Sequence, residues 1–138
     1  MKDEPGNSYS GIVIFLLAIL NVGLHLYVSD NLEYHRDELL YFSLGLHPAA
    51  GYATVPPMIG WIAGIIQGIF GNSVFAVRLF PAVMSGVMVY LVAAITRELG
   101  GSAYARILAA TGFLFSIIGL RAFLFFQPVH IDVFVCTM

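Results

Sequence analysis

Apolar residues run almost unbroken through three stretches, 11–28, 79–96 and 107–126, and the polar residues gather between them. A helix needs roughly 18 or more apolar residues to cross a bilayer. The pattern therefore predicts three spanning helices, and a further apolar helix beginning near residue 130. A signal peptide is the competing reading of the first stretch. Lys2 is followed at once by Asp3 and Glu4, and no small-x-small pattern precedes Asp30, so a retained helix is the better expectation. Asn21 and His25 lie four apart and share a helical face. In lipid that face has to look into a bundle, because an unpaired polar group in hydrocarbon is costly. In the second stretch, Pro81 is expected in the first turn, and Ala82 and Gly86 form a small-xxx-small pair suited to close packing.

The segment 29–78 between the first two spans carries its own pattern. Residues 37–46 read as a short helix with acids at its positive end. Pro56-Pro57 breaks the chain, and 58–70 follows as an apolar run too short to span. Its isoleucines recur at helical spacing, and Gly60, Gly64 and Gly68 form a second stripe. This predicts a helix lying in the membrane interface, with a re-entrant or buried segment as the alternative. The expected fold class is all-α: polytopic transmembrane helices with short interfacial helices in the first external loop.

Composition agrees. Of 138 residues, 59% are hydrophobic and 10% charged, against roughly 25% charged in a soluble domain. The net charge of −2 leaves no basic face for nucleic acid, and the single cysteine, Cys136, excludes a disulfide framework. Two arginines, Arg97 and Arg106, flank one short loop, whereas 29–57 carries one arginine against four acids. The positive-inside rule then places the N-terminus in the cytoplasm and the acidic loop outside, in a multi-pass plasma-membrane protein. Arg78, Arg121, His130 and Asp132 fall on the same outer side.

Chemistry is sparse. The pair Asp37-Glu38 suits a general base, metal ligands or an ordinary solvated loop. Asp37 shares a helical face with Tyr41. Arg78 and Arg121 are suited to clamping a phosphate, or to anchoring helix ends at the interface. His130 and Asp132 are ordinary metal ligands, but two ligands do not make a site, and Asp132 equally suits a helix N-terminus. His25, His35 and His47 have no convincing partner spacing. No phosphate-binding glycine loop or nucleophile elbow occurs.

An ordered series of short motifs adds to this. It comprises Tyr34-His35-Arg36-Asp37-Glu38-Leu39-Leu40-Tyr41, Gly51-Tyr52, Pro56-Pro57, Phe70-Gly71-Asn72-Ser73 and Val77-Arg78-Leu79-Phe80-Pro81. Arg97-Glu98-Leu99-Gly100-Gly101 and Phe126-Gln127-Pro128-Val129-His130-Ile131-Asp132 follow. The series resembles family 39 glycosyltransferases, the protein O-mannosyltransferase-like and aminoarabinose-transferase-like GT-C membrane enzymes, in their N-terminal portion. The resemblance implies transfer of a sugar from a polyprenyl-phosphate donor to a glycan, lipid or protein acceptor on the outer face. It implies Asp37 as base with Glu38 beside it, Asp132 as a second acid and Arg78 as the arginine that follows the loop. Arg36, Tyr41 and Arg121 complete the expected substrate-binding set. No metal site is assigned, although a divalent cation could join these acids. One departure stands out: Thr54-Val55 precede the double proline where many members carry charged or polar residues, a phosphate-contacting lysine among them. That departure keeps an alternative open, a non-catalytic membrane protein or degenerate short paralogue serving as an assembly partner. The 138-residue piece, expected to be the front of a longer chain, is expected to be inactive alone.

Overall fold

The computed structural model describes residues 5–30, 32, 33 and 35–138. Among them the chain forms seven helices: α1 (Pro5–Asp30), α2 (Arg36–Leu46), α3 (Pro57–Phe70), α4 (Val74–Glu98), α5 (Ala103–Leu114), α6 (Ile117–Arg121) and α7 (Pro128–Thr137). The expected all-α class is met. Two helices are long and apolar enough to cross a membrane, at Tyr9–Ser29 and Phe75–Glu98. With about 1.5 Å of rise per residue, the 26 residues of α1 reach about 39 Å, more than the ~30 Å hydrocarbon core. Only 17% of the α1 window is buried, and Ile12, Phe15, Leu16, Ile19 and Leu20 stand exposed along it. A soluble core helix would hide such a surface; a lipid-facing helix displays it.

Helices α1 and α4 pack together along their length, and α5 closes the other side of the pair. The packing is close because of Gly86. A Cβ there would meet Val22 Cγ2 at 2.7 Å and the Ala18 carbonyl at 3.4 Å. The predicted polar face turns inward as expected. Asn21 and His25 are buried, and the Asn21 amide donates to Ser85 Oγ at 2.7 Å across the helix pair. Deeper along the same pair, Ile14, Val89, Ala93 and Ala110 form a small apolar core.

Helix α4 starts earlier than the arginine-bounded run predicts. Ser73 caps it, its hydroxyl accepting from the Ala76 N–H at 3.1 Å, so helix begins before Arg78. Pro81 thus lies inside the helix rather than in its first turn. At the far end Gly100 takes φ +81°, and the Gly101 N–H bonds the Thr96 carbonyl at 2.8 Å, which stops the helix.

The predicted span 107–126 is not continuous. α5 ends at Leu114, and Ser116 starts a new helix, its hydroxyl accepting from the Gly119 N–H at 2.9 Å and donating to the Phe113 carbonyl at 2.8 Å. A serine that offers the backbone local partners competes with helix propagation, and an apolarity count does not register this. The expected third span is therefore two shorter helices, α5 and α6. Pro128 at the first position of α7 sets the next helix a little before residue 130.

The segment between α1 and α4 folds as a helical hairpin. α2 and α3 cross at Gly45 and Gly64; a Cβ on Gly64 would meet the Gly45 carbonyl at 2.9 Å. Gln67 donates to the Phe42 carbonyl at 3.0 Å across the same crossing. The outer face of α3 presents Met58, Trp61, Ile65 and Ile69, all exposed, as an interfacial helix would. A second core lies under the hairpin, where Tyr41, Phe42, Ile59, Ala63 and Ile66 meet Val77, Phe126 and Ile131. This core joins the hairpin to α4 and α7.

Candidate functional site

The site begins with the cap of α2. His35 is extended (φ −74°, ψ 143°), and its Nδ1 accepts from the Asp37 N–H at 3.3 Å. Glu38 reaches back, its Oε2 accepting from the His35 N–H at 2.9 Å. This reciprocal cap turns the two neighbouring acids in opposite directions. Glu38 goes inside and is fully buried. Asp37 stays at the surface, its side chain 36% exposed.

Inside, Glu38 meets Arg78. The guanidinium donates to both carboxylate oxygens, Nε to Oε1 at 3.2 Å and Nη2 to Oε2 at 2.9 Å. The Phe126 N–H donates to Oε1 at 3.0 Å, so each carboxylate oxygen accepts two bonds. Arg78 spends its remaining N–H groups on carbonyls: Nη1 on Ser29 at 2.6 Å and Leu32 at 2.8 Å, Nη2 on Glu33 at 2.6 Å. All five guanidinium donors are satisfied. One buried pair therefore ties together the end of α1, the loop after it, α2, α4 and the connection into α7. This arrangement corrects two of the expected roles. Glu38 has no lone pair facing a substrate, and Arg78 has no donor left for a phosphate.

The remaining candidates fall on different sides of this network. Arg36 is 95% exposed and lies 3.7 Å from Asp37 Oδ1, a loose surface pair worth little. Tyr41 is buried against the edge of Phe126, with centroids 6.4 Å apart. Burial, and secondarily the negative charge of Asp37, raise its pKa above the ordinary 10.0. Asp132 is exposed on α7 and does not line the cleft described next. Its neighbour His130 is fully buried, its ring packed against Phe80 and Phe126. Among the described residues no group of three or more His, Cys, Asp and Glu side chains converges as a metal site would require.

Arg121 lies next to His35, an association that spacing alone does not reveal. Both line a cleft of about 280 Å³ whose other walls include Phe125 and Gln127. The Phe125 ring lies 5.1 Å from the His35 ring and 5.4 Å from the Arg78 guanidinium. His35 Nδ1 also lies 3.7 Å from Asp37 Oδ2. An imidazole and an exposed arginine thus line one opening, and the Asp37 carboxylate lies beside that imidazole. His35 and Phe125 were not legible as site residues. The one available signal was His35-x-x-Glu38, a capping-box spacing with histidine in place of serine.

The family model for dolichyl-phosphate-mannose-protein mannosyltransferase matches residues 54–137. The chain belongs to that family. It is GT-C glycosyltransferase-like, as the motif series implied. It is also similar to the undecaprenyl phosphate-alpha-4-amino-4-deoxy-L-arabinose arabinosyl transferase 1 of Pseudomonas fluorescens (strain Pf0-1), with 30% identity over 123 residues. That alignment covers 86% of this chain and 21% of the relative, so the chain spans about a fifth of that relative's length. No solved structure matches the chain. At the level of the family, the chain is of a membrane-embedded glycosyltransferase type.

Proposed function

We propose that this chain supplies the acceptor-activating part of a membrane glycosyltransferase that moves a sugar from a polyprenyl-phosphate donor to an acceptor at the outer face. The observation that carries the reading is the splitting of the acid pair. Glu38 is consumed by Arg78, while Asp37 is left at the surface beside His35, which lines a cleft together with Arg121. The relative's name supplies the donor class, a sugar on undecaprenyl phosphate.

In this reading Asp37 takes the proton from the acceptor hydroxyl as that oxygen bonds to the anomeric carbon. The bond from that carbon to the donor phosphate oxygen breaks, and the lipid phosphate leaves with the electron pair. Positive charge beside the leaving oxygens lowers the barrier, and Arg121 is the exposed cation on the cleft. Glu38 and Arg78 act as positioning residues, and Arg36 and Tyr41 flank the base. Asp132 keeps its proposed place as a second outer acid. The membrane is the plasma membrane, crossed several times, with the N-terminus of α1 in the cytoplasm and α2, α3 and α6 at the outer face.

The test is Asp37→Asn in the protein that carries this segment, assayed in membranes for transfer from a polyprenyl-phosphate sugar. Transfer is expected to fall by about a hundredfold or more, the usual worth of a positioned base. Unaltered transfer removes Asp37 from the mechanism.

A further inference from the structure

One ring atom of His35 has two partners on the same neighbour. Its Nδ1 accepts from the Asp37 N–H at 3.3 Å, and it also lies 3.7 Å from Asp37 Oδ2. The two contacts exclude each other. The first needs a lone pair on Nδ1, and so a neutral ring with its proton on Nε2. The second needs a proton on Nδ1, and so an imidazolium. Histidine is the side chain whose charge changes most readily in the physiological pH range. The His35 side chain is 43% exposed, so solvent protons reach it.

The surroundings leave that exchange to Asp37. On α2 itself, Arg36 faces Asp37 Oδ1 at 3.7 Å. Glu38 is turned away, its oxygens held by Arg78 of α4 and by the His35 and Phe126 N–H groups. From the connection into α7, the Phe125 ring packs beside the imidazole at 5.1 Å, and Gln127 lines the same cleft. From α6, Arg121 lines that cleft too. Among these groups, the free carboxylate within reach of a charged imidazole is that of Asp37.

We propose that His35 is a positioning residue for Asp37, and that its protonation withdraws the base. This role rests on the reading of Asp37 as the base. In the neutral state, Nδ1 holds the Asp37 main chain at the start of α2, and Oδ2 is left to take the acceptor's proton. Acidification adds one proton, from solvent, to Nδ1. The Nδ1–H can no longer accept from the Asp37 N–H and donates to Oδ2 instead. The lone pair that would take the acceptor's proton is then held in a charge-assisted bond. Arg36 already faces the other oxygen, so neither remains bare. The same event removes a cap bond from the first turn of α2, which lets that turn close the gap between ring and carboxylate.

A histidine that served only as a helix cap would be replaceable by any good cap. The test uses that difference. His35→Ser and His35→Asn both supply preferred N-cap side chains, the first completing an ordinary Ser-x-x-Glu capping box, and neither titrates between about pH 5 and pH 9. Transfer is measured over that range in membranes, in the protein that carries this segment, with each profile scaled to its own alkaline plateau. With His35 present, transfer is expected to fall about tenfold per pH unit below a single midpoint, as one protonation dictates. In both variants that acid limb is expected to move to lower pH by about one unit or more, because carboxylates titrate below imidazoles. Circular dichroism is expected to show unchanged helical content. An acid limb in the same place in either variant with intact helices overturns the inference and leaves Asp37 as the base. Loss of transfer at every pH in both variants, with intact helices, also overturns it, because the reaction would then need the ring itself. Full transfer in Asp37→Asn overturns the base reading, and this role for His35 with it.

Discussion

Tyr41 shows at the scale of one residue how the site is balanced. Its ring belongs to the core under the hairpin, and its hydroxyl feels the charge of Asp37. Both influences favour the neutral phenol. A group whose folded pKa is raised above its unfolded value contributes stability that is complete below the unfolded value. That contribution is lost as pH climbs toward the folded value. The window here opens near 10.0 and extends upward. Thermal melts in detergent are therefore expected to show a decline above that pH which Tyr41→Phe lessens. Asp37→Asn is expected to move the tyrosinate absorbance transition partway back toward the ordinary value, because burial, the larger cause, remains. An identical alkaline decline in Tyr41→Phe would assign the loss to another group. At this scale the sequence was informative about types and ambiguous about partners. Asp37 and Glu38 are adjacent and alike on paper; the α2 cap sends one outward and the other inward. Nothing in the order of residues says that Glu38 finds Arg78 forty positions away.

At the scale of elements, glycine placement governs which helices can meet. The stripe of Gly60, Gly64 and Gly68 was visible in the sequence, but its partner was not. In the structure, α2 lies so close to α3 that Gly45 and Gly64 touch backbone to backbone. Gly64→Val would push its branched side chain into the Gly45 carbonyl and force the hairpin apart. The expected cost is about 1–3 kcal/mol, read as a lower unfolding midpoint in detergent. Gly68, whose added Cβ would meet nothing within 4 Å, should tolerate Gly68→Ala with no loss. Equal effects at the two positions would show that the close crossing is not what holds α2 on α3. Helix boundaries followed local chemistry more faithfully than hydropathy. Ser73 lengthens α4, and Ser116 cuts the expected third span. Both are short polar side chains acting on nearby N–H groups, a signal that an apolarity count passes over.

Across the whole molecule, the Glu38–Arg78 pair is the fastening between the long helices α1 and α4 and the α2–α3 hairpin. Two buried charges cost much desolvation energy, and their mutual attraction offsets it only while both are present and fully bonded. Arg78→Met leaves the Glu38 carboxylate buried without its cation and frees the Ser29, Leu32 and Glu33 carbonyls. It is expected to destabilise the fold by about 3–5 kcal/mol. Glu38→Gln keeps the shape and should cost less, since its single amide oxygen still accepts from an Arg78 N–H and from one of the Phe126 and His35 N–H groups, which bond different oxygens of Glu38. Chemical denaturation of detergent-solubilised protein measures both. A cost for Arg78→Met below that of Glu38→Gln would mean that the pair does not fasten the parts together. The same variants are expected to lower transfer as well, because Phe125, which lines the cleft, packs against the Arg78 guanidinium.

The sequence by itself determined the membrane class, the two long apolar helices with a short one between them, the inward face of Asn21 and His25, and the family. These follow from composition, period and motif order, all local along the chain. The tertiary structure decided which acid is free, which arginine is spent and which arginine stands at an opening. It did so because burial and hydrogen-bond saturation arise only when distant segments meet. Arg78 and Arg121 are the same residue type. One is enclosed by five acceptors from α2, the end of α1 and the loop after it, and the other is left exposed on a cleft.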